Sequence, residues 1–471
     1  MRANAAPPHC FINGIYKVSY HERTDVTVGS SAKTFPGGIH PHEFGQGKSA
    51  TNSQPARAAR APERVAISMA QHIGAPCAPL VKPGQRVLMG QKIGEARGFM
   101  GAPVHSSVSG TVKALETRVM AGGASAQVVV IENDFQDEWS EEATPPANAD
   151  AMTRQELGAF VREKGIVGLG GAAFPTSIKL TPPEDKPIDY VIINGAECEP
   201  FLTSDHCMML KNAAGVADGL KWAMKISGAA KGVVAIEQNK PDAIAAMEQA
   251  LSGTPYYVQP LAVKYPQGGE KQLIQAVTGR QVPSGKLPMD AGCIVMNVST
   301  AAALSEAFAT GRPITERIVT VTGDVPQPAN LIARVGTPIG ELIAQCGGVP
   351  DDTLKIIAGG PMMGQALSSL DTPVVKATGG LLLINRAHAN RLPESNCIRC
   401  GRCVAACPIH LMPLRLNELV LHDRFEQAEA IGVLDCIECG SCSYVCPAKR
   451  ELALSIRMGK REVLKRRKAR Q

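Results

Sequence analysis

The stretch GIVGLGGAAFPTSIKL, residues 165–180, places four glycines within seven residues and follows them with Phe174, Pro175, Thr176 and a single Lys179. Glycines at this density let a backbone approach and enclose a phosphate group, because they carry no Cβ and adopt conformations closed to other residues. We therefore interpret residues 165–180 as a phosphate-binding loop, with a purely structural glycine turn as the alternative.

Two common phosphate-binding patterns fit this stretch incompletely. Gly168, Gly170 and Ala173 satisfy G-x-G-x-x-G/A, but a dinucleotide-binding loop needs a strand before it and a helix at its end. The sequence from Thr153 predicts a capping box and a helix to Lys164, so a helix precedes the loop. A Walker A loop would need a glycine directly before the lysine. Both patterns are disfavoured.

The composition is that of a globular protein with several domains. The 471 residues are 44% apolar and 20% charged, which predicts three or more domains. The last fifteen residues hold eight Lys or Arg and one Glu; with +7 there and +6 in total, the rest is close to −1. This distribution disfavours a nucleic-acid partner. We expect residues 455–471 to be a solvated, frayed basic tail, or a contact for anionic lipid or an acidic partner.

The chain has no apolar run long enough to span a bilayer and no apolar secretory signal. Residues 1–33 are mixed and polar, and we predict a disordered arm. Short alternating segments between Pro-Gly and Ser-Gly turns predict a β-sandwich over residues 34–134, which resembles biotinyl/lipoyl modules. Because no lysine occupies the modification tip, we interpret it as structural. The acidic residues 135–150 are interpreted as a linker.

The remainder alternates between strands and helices. We predict a multidomain α/β protein in which residues 151–312 form an open α/β domain, with strand candidates at 190–194, 232–237, 257–263 and 293–298. Residues 313–385 predict a β-grasp-like unit. Residues 390–454 form a cysteine-rich domain, and the residues between its cysteine runs predict two helices.

Eight of the fourteen cysteines lie between Cys397 and Cys446, in two C-x₂-C-x₂-C-x₃-C-P runs. In this pattern the first three cysteines bind one [4Fe–4S] cluster and the fourth binds the other. The ligands predicted for cluster one are Cys397, Cys400, Cys403 and Cys446, and those for cluster two are Cys436, Cys439, Cys442 and Cys407. Structural zinc sites use four ligands per ion from C-x₂-C pairs, which fits these runs poorly. We therefore expect a helical two-cluster ferredoxin domain that relays single electrons in a reducing compartment.

The other six cysteines have no such company. Five are expected to be ordinary thiols: Cys10, Cys77, Cys207, Cys293 and Cys346. Cys198 falls in the expected cofactor pocket, where we expect a packed small residue, with a redox-sensitive thiol as the alternative.

The segment GLGGAAFPTSIK resembles the flavin loop of the flavoprotein subunit of respiratory complex I. Three further segments follow in the order of that family: IINGAECEP (192–200), YPQGGEKQL (265–273) and IVMNVST (294–300). The resemblance implies that FMN and NAD(H) are bound by Gly168, Gly170, Gly171, Lys179, Asn194, Glu197, Glu199, Gly268, Glu270, Asn297 and Thr300.

In this resemblance the glycine amides and Lys179 hold the FMN phosphate, the two asparagines face the ribityl chain or the ring, and Glu197 and Glu199 accept ribose hydroxyls. The chain departs from complex I at Ala196 and Gly269, where that flavoprotein has acidic residues.

With two cysteine runs and an N-terminal β module, the chain is similar to the RnfC proteins of Rnf complexes, which are ion-translocating NADH:ferredoxin oxidoreductases. TFPGGIHPHE (34–43), NGAECEPFLTSDH (194–206) and RQVPSGKLP (280–288) carry this resemblance. It implies a barrel-sandwich hybrid, an FMN domain, an SLBB β-grasp domain and a ferredoxin domain. It also implies a ferredoxin-like RnfB protein and membrane proteins of the complex as partners, at the cytoplasmic side of the bacterial inner membrane. The flavin would take hydride from NADH, and the clusters would carry electrons singly to those partners.

Two other functions remain open from the sequence. A cobalamin reductase of bacterial microcompartments shares the flavin loop, the β modules and the paired clusters. A non-enzymatic scaffold would carry clusters beside a vestigial pocket.

Overall fold

The computed structural model describes residues 32–389 and 392–470. The predicted arm and Cys10 lie outside the described residues, apart from the arm's last two positions. Within the described ranges, no helix is both long and apolar enough to cross a membrane.

Residues 32–59 do not enter the N-terminal β module. Lys33 forms a bridge with Leu261 and Ile39 forms one with Tyr265, so this segment runs along the α/β domain. It ends in strand β1 (Arg57–Ala58), which pairs with a strand of the β-grasp sheet.

The N-terminal β module is built from two small antiparallel sheets that enclose a core of valine and isoleucine. Its strands are β2 (Arg64–Ser68), β3 (Ala78–Pro79), β4 (Arg86–Val87), β5 (Lys92–Glu95), β6 (Val104–His105), β7 (Gly110–Val119) and β8 (Ser125–Asn133). One sheet has the order β2-β8-β7-β4 and the other β3-β5-β6. The predicted sandwich is therefore present.

The predicted linker, residues 135–150, contains no helix or strand but is packed. Trp139 bridges to Met89 of the β module, and the guanidinium of Arg312 lies 4.3 Å from its ring centroid. The linker thereby ties the β module to the following domain.

The α/β domain holds a four-stranded parallel sheet between two helical layers. Its elements are α1 (Arg154–Glu163), α2 (Thr176–Leu180), β9 (Tyr190–Gly195), α3 (Ser204–Lys211), α4 (Ala213–Ser227), β10 (Lys231–Glu237), α5 (Pro241–Ala250), β11 (Tyr257–Leu261), α6 (Glu270–Thr278), β12 (Cys293–Asn297) and α7 (Val298–Thr310). All four predicted strands occur. Val191 and Ile193 face the layer of α1, α4 and α7, whereas Ile192 faces α6, as strand alternation requires.

The sheet order is β11-β10-β9-β12. The chain builds outward from β9 to β11 and then returns to place β12 on the other side of β9. In open α/β sheets, ligands bind at the carboxyl ends of the strands where the order reverses in this way. That position is the gap between β9 and β12.

The β-grasp unit forms a six-stranded sheet of order β1-β14-β13-β17-β15-β16. Its elements are β13 (Glu316–Gly323), β14 (Ala329–Arg334), α8 (Ile339–Ala344), β15 (Thr353–Ala358), β16 (Gln365–Ala366) and β17 (Gly380–Asn385). Helix α8 packs on one face through Ile339, Leu342 and Ile343.

The C-terminal domain is helical, with α9 (Arg402–Ala405), α10 (Pro413–Leu421), α11 (Phe425–Ala430), α12 (Ser441–Tyr444) and α13 (Leu452–Arg470). Helices α10 and α11 are the two predicted between the cysteine runs.

The expectation of a frayed basic tail was wrong over residues 455–470, because these residues continue α13. Leu452, Ile456, Gly459 and Val463 recur at helical spacing and are buried against the domain. On the outer side, Arg466 and Arg470 pair with Glu426 at 3.2 and 3.3 Å. The sequence shows the basic residues, but only packing shows the acidic partners on α11.

Candidate functional site

A cleft opens at the carboxyl ends of β9 and β12, where Asn194 and Asn297 are paired in register. The glycine-rich loop covers this position. It is closed at its base by a bridge between Val167 and Pro175, and the Gly168 N–H donates to the Phe174 carbonyl at 2.8 Å. Helix α2 begins directly after Pro175, so proline and Thr176 start this helix rather than interrupt it.

The cleft encloses about 480 Å³, a volume within the range of small-molecule and cofactor sites. Nine of the eleven predicted cofactor residues line it: Gly168, Gly170, Gly171, Lys179, Asn194, Gly268, Glu270, Asn297 and Thr300. Apolar side chains from other domains complete the rim, with Ile73 from the β module and Met363 from the β-grasp unit.

The glycines of the loop fit a bound phosphate-bearing cofactor. A Cβ on Gly170 would lie 2.9 Å from the Asn297 side chain, whereas one on Gly171 would point into open space. Within the described part of the chain, the backbone amides of Gly170 and Gly171 donate to no protein acceptor. Free amides beside an open volume suit the oxygens of a phosphate.

Three predicted side chains hold the walls of the cleft together. The Asn194 amide donates to the Gly268 carbonyl at 2.9 Å, and the Leu169 N–H donates to Thr300 Oγ1 at 2.9 Å. Asn297 caps α7 by accepting the Ser299 N–H and donates to Asp205 at 2.6 Å. The asparagines therefore face the cleft while their hydrogen bonds join its walls.

Lys179 and Glu270 form an ion pair on the cleft wall. Lys179 Nζ lies 2.8 Å from the Glu270 carboxylate and also donates to the Val295 carbonyl at 2.9 Å. The lysine that the sequence singles out as a phosphate ligand is thereby held at the rim, within a pair that is neutral.

The structure does not bring Glu197 and Glu199 into the cleft lining. Glu197 accepts the N–H groups of Asp205 and His206 at 2.7 and 3.2 Å and so caps the start of α3. Glu199 accepts the N–H groups of Met362 and Met363. Burial raises the pKa of each carboxyl to about 7. The expectation that they face a ribose is corrected, because both sets of carboxylate oxygens already accept backbone donors.

Sequence reasoning missed Lys48. Its ammonium donates to the carbonyls of Glu197, Glu199 and Leu202 at 2.9, 2.8 and 2.6 Å and so fixes the turn after β9. It lies about 150 residues earlier in the chain, in a segment whose only signal is its glycine content.

Cys198 lies on that same turn, and its thiol accepts the Gly268 N–H at 3.3 Å. Burial raises the pKa of Cys198 to about 12, so the group is a protonated, packed thiol near neutral pH. The interpretation as a packing residue is favoured over a redox-sensitive one.

The four cysteines predicted for cluster two line one small cavity in the C-terminal domain: Cys407, Cys436, Cys439 and Cys442. Burial raises the pKa of Cys442 to about 12, and the neighbouring thiols of Cys439, Cys436 and Cys407 act in the same direction. Cysteines from both runs therefore converge here, as the ligand-swapping pattern requires.

The cysteines predicted for cluster one are arranged less evenly. Cys403 and Cys446 are buried and in contact, whereas Cys397 and Cys400 are exposed. Since Cys442 packs in the same group as Cys403 and Cys446, the two cluster sites adjoin.

The two runs repeat one backbone conformation with an offset of 39 residues. Positive φ angles occur at Arg399 and Glu438, and again at Gly401 and Gly440. The N–H of Arg399 donates to Cys397 Sγ and that of Glu438 to Cys436 Sγ, each at 3.4 Å. Amide donors to sulfur are typical of iron–sulfur ligation.

In residues 32–389 and 392–470, no three His, Cys, Asp or Glu side chains are grouped as they would be to hold a single metal ion. Thiols spaced around a cavity suit a cluster, in which each iron takes one protein ligand. The donor set therefore fits [4Fe–4S] clusters better than zinc.

The cleft and the cluster-two site are joined by a short segment of chain. Tyr265 donates its hydroxyl to the Cys439 carbonyl at 2.8 Å, and Gly268 and Glu270, a few residues on, line the cleft. Gln272 donates to the Pro408 carbonyl at 3.0 Å, beside Cys407. Cluster two is thus the site that contacts the α/β domain.

Four family models match the chain in order. They are the RnfC barrel sandwich hybrid domain (33–136), the Nuo51 FMN-binding domain (161–306), the SLBB domain (318–366) and the 4Fe-4S dicluster domain (389–453). The predicted fold class is confirmed by this order.

Relatives extend the likeness to nearly the whole chain. The RnfC-type component of the Na⁺-translocating ferredoxin:NAD⁺ oxidoreductase complex of Acetobacterium woodii is 48% identical over 92% of this chain and 98% of its own. The proton-translocating counterpart from Clostridium ljungdahlii is 46% identical over 91% and 94%. The chain belongs to the RnfC family. The corresponding component of an ion-translocating oxidoreductase complex of Pseudomonas aeruginosa is 39% identical over 86% of this chain and 52% of its own.

Membership of this family confirms the predicted oxidoreductase class and the prediction that other Rnf proteins are the partners. The matched domains also confirm FMN and [4Fe–4S] clusters as the cofactors.

Proposed function

We propose that this chain accepts electrons from NADH at the cleft and passes them singly through the cluster-two site, then the cluster-one site, to a ferredoxin-like RnfB protein. When bound, FMN supplies acceptance of a hydride and release of single electrons. The direction can reverse, since the relatives are named for ferredoxin:NAD⁺ oxidoreduction.

The observation that carries this order is the contact of Tyr265 with Cys439. The same loop that lines the cleft at Gly268 reaches the carbonyl of a cluster-two ligand through Tyr265. No comparable contact is seen for the cluster-one ligands among the described residues. Electrons entering at the cleft therefore meet cluster two first.

The glycine loop and Lys179 would hold the FMN phosphate, and Asn194 and Asn297 would fix the walls on either side of the flavin. The neutral Lys179–Glu270 pair leaves room for a shift of the ammonium toward a phosphate, because both partners are partly exposed. Glu197 and Glu199 have no direct nucleotide contact in this proposal.

The surface around cluster one supports an exit to another protein. Residues 392–400 are exposed throughout, including Cys397 and Cys400, and Ile398 is 69% exposed. Arg399 and Arg402 flank the two cysteines. An apolar and cationic surface of this kind suits an acidic redox partner.

We further propose that the chain is peripheral and lies at the cytoplasmic side of the inner membrane, held by its partner proteins. NADH is a cytoplasmic reductant, and the relatives are parts of ion-translocating complexes.

Anaerobic purification followed by addition of NADH tests the proposal. Bleaching of the flavin absorbance, followed by an electron paramagnetic resonance signal from reduced clusters, is expected. A protein that holds flavin and iron but shows no bleaching with NADH would be a scaffold rather than an entry point. Electron transfer to a corrinoid, with none to an Rnf partner, would favour the cobalamin reductase alternative, which the 48% identity to an Rnf protein disfavours.

A further inference from the structure

The β-grasp unit inserts a loop between the cleft and the cluster-two site. This loop, Gly359–Gly364 with the sequence GGPMMG, connects β15 to β16 and is here called the methionine loop. Its ends are fixed, since the Gly359 N–H donates to the Gly380 carbonyl at 2.7 Å and the Gly364 N–H donates to the Gly360 carbonyl at 3.0 Å.

The two methionines of the loop contact different sites. Met363 lines the cleft and is 49% exposed there. Met362 packs with Tyr265, Ile437 and Cys439 beside the cluster-two site. Contact with the second cysteine run is close, because a Cβ on Gly440 would lie only 3.2 Å from the Met362 carbonyl oxygen. One loop therefore covers both ends of the path between the two cofactor sites.

Glu199 holds the methionine loop. One carboxylate oxygen accepts the Met363 N–H at 2.8 Å and the other accepts the Met362 N–H at 3.2 Å. A Cβ on Gly360 would collide with this carboxylate, so glycine is needed there for the approach. Lys48 binds the Glu199 carbonyl at 2.8 Å and keeps the carboxylate in place from behind.

We propose that Glu199 is a positioning residue for electron transfer: it seats the methionine loop so that Met363 covers the cleft and Met362 covers the cluster-two site. The inference rests on the proposed function, in which electrons pass between these two sites. Apolar thioether side chains at this junction exclude water from both, and hydrogen bonds to a charged acceptor hold a loop more firmly than neutral ones.

The variant Glu199→Gln tests the proposal. The glutamine has the size of the native residue but offers one acceptor oxygen in place of two, so one of the two loop amides loses its partner. The expected result is that NADH reduces the flavin with an unchanged KM, while cluster reduction slows by about tenfold or more. Stopped-flow absorbance resolves the two phases, and flavin and iron contents are measured on the same samples.

Two further variants locate the effect. Met363→Ala leaves the carboxylate and its two hydrogen bonds in place and is expected to slow the second phase without loss of iron. Met458→Ala, at a methionine 60% exposed on α13, is the matched control and is expected to change neither phase. If Glu199→Gln loses a cofactor, Met363→Ala carries the test.

The outcomes separate this inference from the proposed function. A raised KM for NADH with unchanged cluster reduction would make Glu199 a nucleotide ligand and would overturn the inference, as would two unchanged phases in both Glu199→Gln and Met363→Ala. Photoreduction of the bound flavin starts the same transfer without NADH. Failure of NADH to reduce the wild-type protein would thus defeat the proposed function while the role of the loop is still measured.

Discussion

The hydroxyl of Tyr265 donates to the carbonyl of Cys439 across 2.8 Å, and both groups are buried. The bond joins two residues 174 positions apart, one on the segment that lines the cleft and one in the second cysteine run. It is the contact that brings the proposed entry site and cluster two together.

Removal of this hydroxyl should weaken the domain contact. Tyr265→Phe leaves a buried carbonyl without its donor, which costs about 1–3 kcal/mol of unfolding free energy. Chemical denaturation of the holoprotein, read by visible absorbance, measures the loss. Tyr257→Phe, at a tyrosine 43% exposed, is the control and should be near neutral. Equal stability of Tyr265→Phe and wild type would contradict the importance of the bond.

Loss of the cleft cation should release flavin without releasing iron. Lys179→Ala removes a phosphate partner and leaves Glu270 as an uncompensated carboxylate at the same wall, so an anionic cofactor is disfavoured twice. Flavin and iron assays on purified protein measure this. Lys113→Ala, which breaks an ion pair with Glu132 on the β module, should retain both cofactors. Coupled loss of flavin and iron in Lys179→Ala would contradict the assignment of the two sites to separate domains.

Removal of one cluster ligand should affect only its own site to a first approximation. Cys403→Ala is expected to lose cluster one, which is about half of the iron, and to keep the flavin. Iron quantification and the electron paramagnetic resonance spectrum of the reduced protein report it. The control is Cys346→Ala, at a buried thiol in the β-grasp core. Loss of cluster two with retention of cluster one would show that the ligands are assigned to the wrong clusters.

The C-terminal helix should contribute to stability rather than behave as a tail. Val463→Ala removes buried methyl groups from the face of α13 and should cost about 1–3 kcal/mol. Leu464→Ala, at the next residue and 43% exposed, should cost much less. Thermal unfolding of the holoprotein distinguishes them, and equal small losses would support the frayed end that the sequence suggests.

Lys376 gives a stability that depends on pH. Its ammonium is buried at the junction of the β module and the glycine loop, where it donates to the Gly165 carbonyl at 2.7 Å. Burial lowers the pKa of Lys376 from 10.5 to about 8. Between these values the unfolded chain binds more protons than the folded one, so folding becomes more favourable as the pH rises.

The stability of the wild-type protein relative to Lys376→Met should therefore increase from pH 8 toward pH 10, as Lys376 loses its proton in the folded state. Denaturation at several pH values measures the difference between the two proteins. A constant difference across this range would show that the ammonium keeps its ordinary pKa of 10.5.

Much of the fold could be predicted because the signals are local. The four strands of the α/β domain appear as short apolar runs, and the two helices between the cysteine runs appear as periodic apolar residues. The tail is the exception. Its charge pattern is visible in the sequence, but the salt bridges of Arg466 and Arg470 with Glu426 depend on how α13 packs against α11.

The candidate site divides in the same way. Gly170 and Gly171 could be identified because a dense run of glycine has few other physical uses. Glu197 and Glu199 could not be placed, since an acidic residue in a turn accepts whatever donor the fold supplies, and here the donors are backbone amides of α3 and of the methionine loop. Lys48 gave no signal, because its three acceptors are carbonyls.

The sequence by itself determined the eight cluster ligands, the glycine loop and the order of the four domains, since each depends on spacing within a short stretch of chain. Only the tertiary structure decided that cluster two adjoins the cleft and that Glu199 holds the methionine loop. Those relationships join residues 174 and 164 positions apart. Contacts at such separations are set by how the packed domains meet, and no local pattern of residues encodes them.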